Sequence, residues 1–368
     1  MKRALLLAIM LAFVFSASLV RADQLDLDLQ TVWEAIWDER GTPRTLVRWK
    51  KSADPISYRI TGVDVNKHRA AIKKTLDHAA SLAGIQFADI SDRPDAATQS
   101  QVNIDIGAQT DAALHEQQVC FVMTTAVKAG YFDKVTMRLR TDKVWYCIVH
   151  ETMHLFGVPG HPRGDTVLSY FAGRTDIFQP LDELMIRALY DKKLSGPITP
   201  FQALDIFTSA AAEQANLGIE PSIALERKRK FLSETMAEME AFAAGHGEIP
   251  SIVKRSGKAS GEHMKNAPRE IAFYLAIAYT LGSTVTVDKE KALRWLTISA
   301  EAEFSGAQYL LGNSYFEGDG VVKDQVLGYR WLQRAAGSDN PFFKAALAKA
   351  EKTLSADELT ALRKAVQP

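Results

Sequence analysis

The chain has no net charge to offer a partner, because its 44 basic and 44 acidic side chains cancel. Without a field of one sign, and without a domain-sized basic stripe, nothing favours a nucleic-acid or anionic-membrane partner, and no nucleic-acid partner is expected. Cysteine is almost missing: Cys120 and Cys147 are the two in 368 residues. None follows the apolar N-terminal run, which argues against a lipoprotein. An even pair in an oxidising compartment permits one disulfide, tying the segment before a later helix to that helix; two buried free thiols are the alternative. Strand signals are missing after about Phe201, so the second half is helical. What is present is ordinary for a water-soluble chain: 47% hydrophobic residues and length for one to three domains.

The long apolar run lies at the start. Lys2 and Arg3 precede Ala4–Val14, the run continues to Val20, and Val20-Arg21-Ala22 places small residues where a signal peptidase cuts. This pattern predicts a secretory signal peptide over 1–22, cleaved after Ala22. The protein is then exported, periplasmic or secreted, with no stable membrane anchor after cleavage; an uncleaved anchor is the alternative.

Downstream, strand and helix signals alternate. Thr45–Trp49 is β-prone, and Ile56, Tyr58 and Ile60 alternate with polar residues before Gly62. Asn66 can cap a helix with Ile72, Leu76, Ala79 and Ala83 on one face, ending at Gly84. Ile85–Ile90, the alternating Val102, Ile104 and Ile106, and Val135, Met137 and Leu139 predict three more strands. Asp142 opens a helix running to Gly157, and Leu181–Tyr190 forms a closing helix before the break at Ser195-Gly196-Pro197. Ser222 starts a helix with Leu225, Leu232, Met236, Met239 and Ala243 at three- and four-residue steps, whose Arg227–Lys230 run reads as a solvated face. Gly245–Gly261 is a polar linker.

The C-terminal part repeats itself. Tyr279, Asp288, Ala292, Arg294 and Trp295 recur thirty-six positions later as Tyr315, Asp324, Gly328, Arg330 and Trp331. A period of this length signals stacked helical hairpins. The copies, over about 269–338, resemble Sel-one-like repeats, short relatives of tetratricopeptide repeats, which implies a protein-binding surface. Gly318 and Gly320 of the second copy's turn correspond to Gly282 and Thr284, and Leu354–Val366 would cap the stack.

The densest chemistry is His150-Glu151-Thr152-Met153-His154. Residues four apart share a helix face, so His150 and His154 can present imidazole nitrogens to one metal ion. Glu151, one step round, can take a proton from water activated there. Gly157 would let the chain turn and bring back a third ligand. Two unrelated surface histidines are the bland alternative. His68 and His78 read as solvated, His115 falls in a polar loop, and His246 and His263 border the linker.

This motif resembles that of metzincin peptidases, HExxHxxGxxH. The resemblance implies Zn2+, a peptide or protein substrate, Glu151 as general base and a third ligand at the place held by Gly160. His161 stands one residue late and is the candidate ligand, with Asp165 in reserve. Thr166-Val167-Leu168-Ser169-Tyr170 resembles the Met-turn with Leu168 in the methionine's place. Tyr170 matches the astacin tyrosine that steadies the transition state, unless it simply packs beneath the site. The block from Arg48-Trp49 through Cys147–Glu151 to Leu181-Asp182-Glu183 and Arg187–Asp191 also resembles a bacterial exported family catalogued as domain of unknown function twenty-nine twenty-seven, over roughly 40–197.

The expected organisation is a signal peptide (1–22), an α+β metzincin-like zinc peptidase domain (23–197), a helical connector and linker (198–260), and an all-α short solenoid of Sel-one-like repeats with a capping helix (261–368). Three functions follow from it. They are an exported zinc metallopeptidase with metal ligands His150, His154 and His161 and catalytic residues Glu151 and Tyr170; a non-catalytic envelope adaptor with a relic peptidase fold; and a purely structural zinc site.

Overall fold

The computed structural model describes residues 20–37, 44–107, 120–169, 175–246, 248–254 and 261–366. The chain divides into two units, the first ending at Ser233 and the second beginning at Glu234. That boundary falls inside the helix Pro221–Ala243, so residues 198–233 of the expected connector go with the first unit. No described helix is long and apolar enough to cross a membrane.

The first unit is a mixed sheet with helices. Its described residues begin with helix α1, residues 20–36, which the apolar pattern alone did not predict. Its buried Leu25, Leu29, Val32, Trp33 and Ile36 fall at helical spacing. The predicted cleavage point after Ala22 falls within this helix, where Ala22 is buried and Arg21 donates to the Gly218 carbonyl. Strands β1 (Ile56–Gly62), β2 (Phe87–Asp89), β3 (Val102–Gly107), β4 (Cys120–Lys128) and β5 (Tyr131–Arg140) form one sheet of order β2-β1-β3-β5-β4. All neighbours are parallel except β4, which runs antiparallel to β5 at the edge.

Period-two alternation sets the sheet's faces. Ile56, Tyr58 and Ile60, Val102, Ile104 and Ile106, and Val135, Met137 and Leu139 are all buried. Helix α2 (Val65–Ala83) lies against β1 and β2, and α4 (Val144–Leu155) against β4 and β5; a short helix, α3 (Ala96–Gln99), precedes β3. Burying each of the isoleucine, valine, leucine and methionine side chains among these stabilises the unit by about 1.5–3 kcal/mol. The opposite face is polar and half-buried, with Arg59 on Asn103 at 2.7 Å, Thr61 on Asp105 at 3.1 Å, and Asp105 paired with Arg138.

Several local expectations shift. Thr45–Trp49 makes two isolated bridges rather than a strand, Arg48 touching β5 at Tyr131 and Leu46 touching Ile198 outside the sheet. The N-cap of α2 is Asp64, in a left-handed conformation, rather than Asn66. The span 85–90 pairs only over Phe87–Asp89, and Ile90 instead donates to the Tyr58 carbonyl. Strand β4 was not predicted, since as an edge strand with a bulge near Ala126 it lacks a buried alternating face. It is joined to α4 by the Cys120–Cys147 disulfide. A 3-10 turn, Thr141–Lys143, occupies the start of the predicted Asp142 helix. Helices α5 (Pro180–Leu189) and α6 (Pro200–Ala215) close the unit, α5 packing on α2 and α6.

Helix α7 (Pro221–Ala243) buries Leu232, Met236, Met239 and Ala243 but leaves Leu225 exposed. Its basic run is not simply solvated: Arg227 pairs with Asp26, and Lys228 reaches Asp205 at 3.2 Å. The expected linker contains a short helix, α8 (Ser251–Lys254).

The second unit continues with helices α9 (Gly261–Leu281), α10 (Lys289–Glu301), α11 (Ser305–Glu317), α12 (Gln325–Ala336), α13 (Pro341–Glu351) and α14 (Ala356–Ala365). The repeat is visible bond by bond. Asp288 and Asp324, at equivalent positions, each accept the backbone N–H three residues on at 2.9 Å, and their own N–H groups reach Tyr279 and Tyr315 carbonyls. Helices α11 and α12 touch at Gly312 and Gly328, where a Cβ on Gly328 would lie 2.4 Å from the Phe316 nitrogen. Leu362 of α14 covers the last core beside Phe316, Tyr329 and Leu332, the capping role expected of Leu354–Val366.

Candidate metal centre

The hydrogen-bonded backbone of α4 sets His150 and His154 one turn apart. After Leu155 the chain turns at Gly157, whose φ of +102° is left-handed and whose Cβ would lie 2.4 Å from the Val47 carbonyl oxygen. The loop then runs past α1 and returns His161 to the two helical rings. Among the described residues this trio forms a metal-competent group, its ligand atoms lying within 4.8 Å of one another. Nε2 of His161 sits 3.1 Å from Nε2 of His150 and 3.1 Å from Nε2 of His154. Asp165, the reserve ligand, is exposed and outside the trio.

The ring tautomers follow from the outer contacts. Nδ1 of His150 lies 2.9 Å from the Val167 carbonyl oxygen, and Nδ1 of His154 lies 2.7 Å from that of Val158. A carbonyl can only accept, so each Nδ1 carries the proton and each neutral ring turns an Nε2 lone pair inward. Nε2 of His161 faces both of these lone pairs at 3.1 Å, an arrangement that a shared cation or proton between them would stabilise. All three rings are half-buried.

Gly160 explains the ligand's position. A Cβ there would lie 2.4 Å from both the Glu34 and Trp37 carbonyl oxygens, and the Gly160 N–H donates to the Ala35 carbonyl at 2.9 Å. No side chain fits at this position, and the next residue, His161, is the one that turns to the rings. Beyond it, the Arg163 N–H donates to the buried Glu34 carboxylate at 2.8 Å.

Glu151 is 2% exposed on α4. Leu168, in the methionine's place, is fully buried, and Tyr170 lies outside the described residues. The end of α4 is fixed from elsewhere: Trp49 Nε1 donates to the Leu155 carbonyl at 3.0 Å, and the Trp49 N–H to Tyr190 Oη at 3.1 Å. Contacts the sequence reading missed are the carbonyls of Val158 and Val167, the carboxylate of Glu34, and Asp182. Asp182 is fully buried and takes the Val167 N–H at 3.0 Å. Burial pushes its carboxyl up to about 7, against two backbone hydrogen bonds that pull it down. Of the other histidines, His78 is not merely solvated, since it pairs with Glu183 at 2.9 Å. His115 lies outside the described residues.

The family comparison bears on the second unit. Residues 271–304 and 305–340 each match the Sel1 repeat. One similar solved structure is a protective antigen of uropathogenic Escherichia coli displaying an SLR fold. It is 20% identical over 45% of this chain and 48% of that one, with a TM-score of 0.26, so this chain spans about half its length. Another is a Sel1 repeat protein from Oxalobacter formigenes, 25% identical over 33% of this chain and 88% of that one, with a TM-score of 0.22. No curated protein matches the chain. Residues 271–340 are therefore two Sel1 repeats.

Proposed function

We propose that the first unit is an exported zinc-dependent peptidase domain whose metal ligands are His150, His154 and His161. The observation that carries this reading is the convergence of three Nε2 atoms, two of them turned inward by carbonyl contacts on the far side of the ring. Neutral imidazoles suit zinc, and tetrahedral ligands at zinc–nitrogen distances of about 2.0–2.1 Å stand roughly 3.3 Å apart. The observed 3.1 Å edges fit that spacing. Three protein ligands also leave a fourth position open, the arrangement of catalytic rather than structural sites.

When bound, zinc supplies a Lewis acid that polarises a carbonyl and acidifies water. The chain's own contributions are distinct. The carbonyls of Val158 and Val167 hold two rings in one tautomer, the close fit of Gly160 against α1 presents His161, and the Glu151 carboxylate receives a proton on one of its oxygens. Edge strand β4, tied to α4 by the disulfide, offers an exposed strand edge against which an extended peptide can pair. The disulfide accords with an oxidising compartment such as the periplasm.

The test is elemental analysis of the purified protein with peptide-library hydrolysis. The reading expects about one zinc per chain. It also expects Glu151→Ala to retain the metal while losing hydrolysis, and His150→Ala to lose both. Protein that folds normally and takes up no zinc refutes it.

A second reading is favoured by the Sel1 repeats: an envelope adaptor in which residues 271–340 bind a protein partner. Partner binding would then survive His150→Ala. The two readings combine if the repeats deliver the substrate.

A further inference from the structure

We infer that Asp182 is a positioning residue of the metal centre, acting on His150 through the backbone of Val167. The inference rests on reading the three histidines as a metal site.

The connection is short and dry. Nδ1 of His150 donates to the Val167 carbonyl at 2.9 Å, and the N–H of the same residue donates to Asp182 Oδ2 at 3.0 Å. Val167 is thus held at both of its backbone groups, by α4 on one side and α5 on the other. Asp182 Oδ2 also accepts the Gln179 N–H at 2.7 Å, which anchors the carboxyl to the first turn of α5. Asp182 is 0% and Val167 8% exposed, so water does not compete for these bonds. His154 is arranged differently. Its Nδ1 partner, Val158, lies four residues along the same chain segment, so its orientation is set locally. Of these two rings, His150 is the one whose aim depends on an element distant in sequence. A ligand ring whose outer nitrogen is misheld loses its preferred tautomer and direction, at a cost of about 10–100-fold in metal affinity.

A carboxylate that only capped α5 would matter to stability and not to the metal. The two roles separate by experiment on the full chain, using zinc affinity by competition with a chromophoric chelator and the visible absorption of bound Co2+. Asp182→Ala removes the acceptor, and zinc affinity is expected to fall about 10–100-fold with a changed Co2+ spectrum. Both bonds fall on one oxygen, which a carboxamide also possesses, so Asp182→Asn is expected to restore affinity and spectrum. If Asp182→Ala does not fold, Asp182→Ser serves: its shorter hydroxyl can cap Gln179 without spanning to Val167, and the same loss of affinity is expected. An Ala or Ser variant that is less stable yet binds zinc with unchanged affinity and an unchanged Co2+ spectrum overturns the inference. So does an Asn variant as weak as Ala. If the unaltered chain binds zinc no better than His150→Ala, the metal reading itself fails, and the inference falls with it.

Discussion

Gly160→Ala isolates the contact that sets the register of the third ligand. Gly160 has an ordinary negative φ, so alanine meets no backbone strain there and the whole effect is steric. The added Cβ would lie 2.4 Å from the carbonyl oxygens of Glu34 and Trp37. Both belong to the backbone at the end of α1, and neither can rotate aside. Relief to van der Waals distance requires the loop to withdraw by about 1 Å. That withdrawal stretches the 2.9 Å bond from the Gly160 N–H to the Ala35 carbonyl. Overpacking costs about 1–3 kcal/mol and the lost hydrogen bond about 1 kcal/mol, so a loss of about 2–4 kcal/mol is expected. His161 is the next residue and moves with the loop. Metal sites tolerate displacements of about 0.2 Å, so zinc affinity falls by more than about tenfold. Urea unfolding of the metal-free protein and chelator competition measure the two losses separately. A Gly160→Ala protein with unchanged stability and unchanged zinc affinity would refute the packing account of the site.

The disulfide supplies a second prediction. Cys120 and Cys147 lie 27 positions apart, and a loop of that size gives about 3.5 kcal/mol of stabilisation from chain entropy. The Cys120→Ala, Cys147→Ala double variant should lose stability of that order in denaturant while retaining its zinc stoichiometry. Asp182 supplies a third, in pH. Its carboxyl is raised from 3.8 to about 7 by burial, so the folded state binds the proton more tightly than the unfolded one. The stability this contributes is fully present below about pH 4 and is lost as pH rises toward 7. Metal-free Asp182→Asn, which cannot ionise, should gain on the unaltered protein across that window; a difference that stays flat with pH contradicts the burial argument.

How much was legible in the sequence depended on whether a signal was local. Strands β1, β3 and β5 were readable because one face of each is buried, so alternation is imposed on the residues themselves. Strand β4 was not, since an edge strand that is half-exposed on both faces is free of that constraint. Helix α1 was hidden for another reason. Its apolar spacing directly follows the apolar run of the predicted signal peptide, which drew the reading toward export rather than toward packing. At the site, the helical pair His150 and His154 follows from helix geometry alone. The third ligand does not, because its register is set by α1, more than a hundred residues earlier, through carbonyl oxygens that carry no side-chain signature. Asp182 was visible only as part of a family resemblance; its bond to Val167 crosses from loop to helix and leaves no periodicity.

The repeats show a case in which correspondence between copies predicts a backbone conformation outright. Gly320 turns the second hairpin with φ +73°, and its counterpart thirty-six positions earlier is Thr284, which adopts φ +65°. A β-branched residue in the left-handed region costs about 1–2 kcal/mol, whereas glycine visits it freely. Thr284 has little to offset this, its hydroxyl reaching the Met236 sulfur at 3.3 Å and the Ser283 carbonyl. Thr284→Gly therefore removes strain but adds unfolded-state entropy of roughly 0.5–1 kcal/mol, leaving a net gain of up to about 1.5 kcal/mol. The reciprocal Gly320→Thr imports the strain and loses the glycine's entropic cost, so it should destabilise by a similar amount. A Cβ at Gly320 meets nothing within 4 Å, so that loss would be conformational rather than steric. Thermal unfolding of the two variants decides the matter: opposite signs support a shared turn geometry, and a destabilised Thr284→Gly would show that the threonine's contacts outweigh its strain.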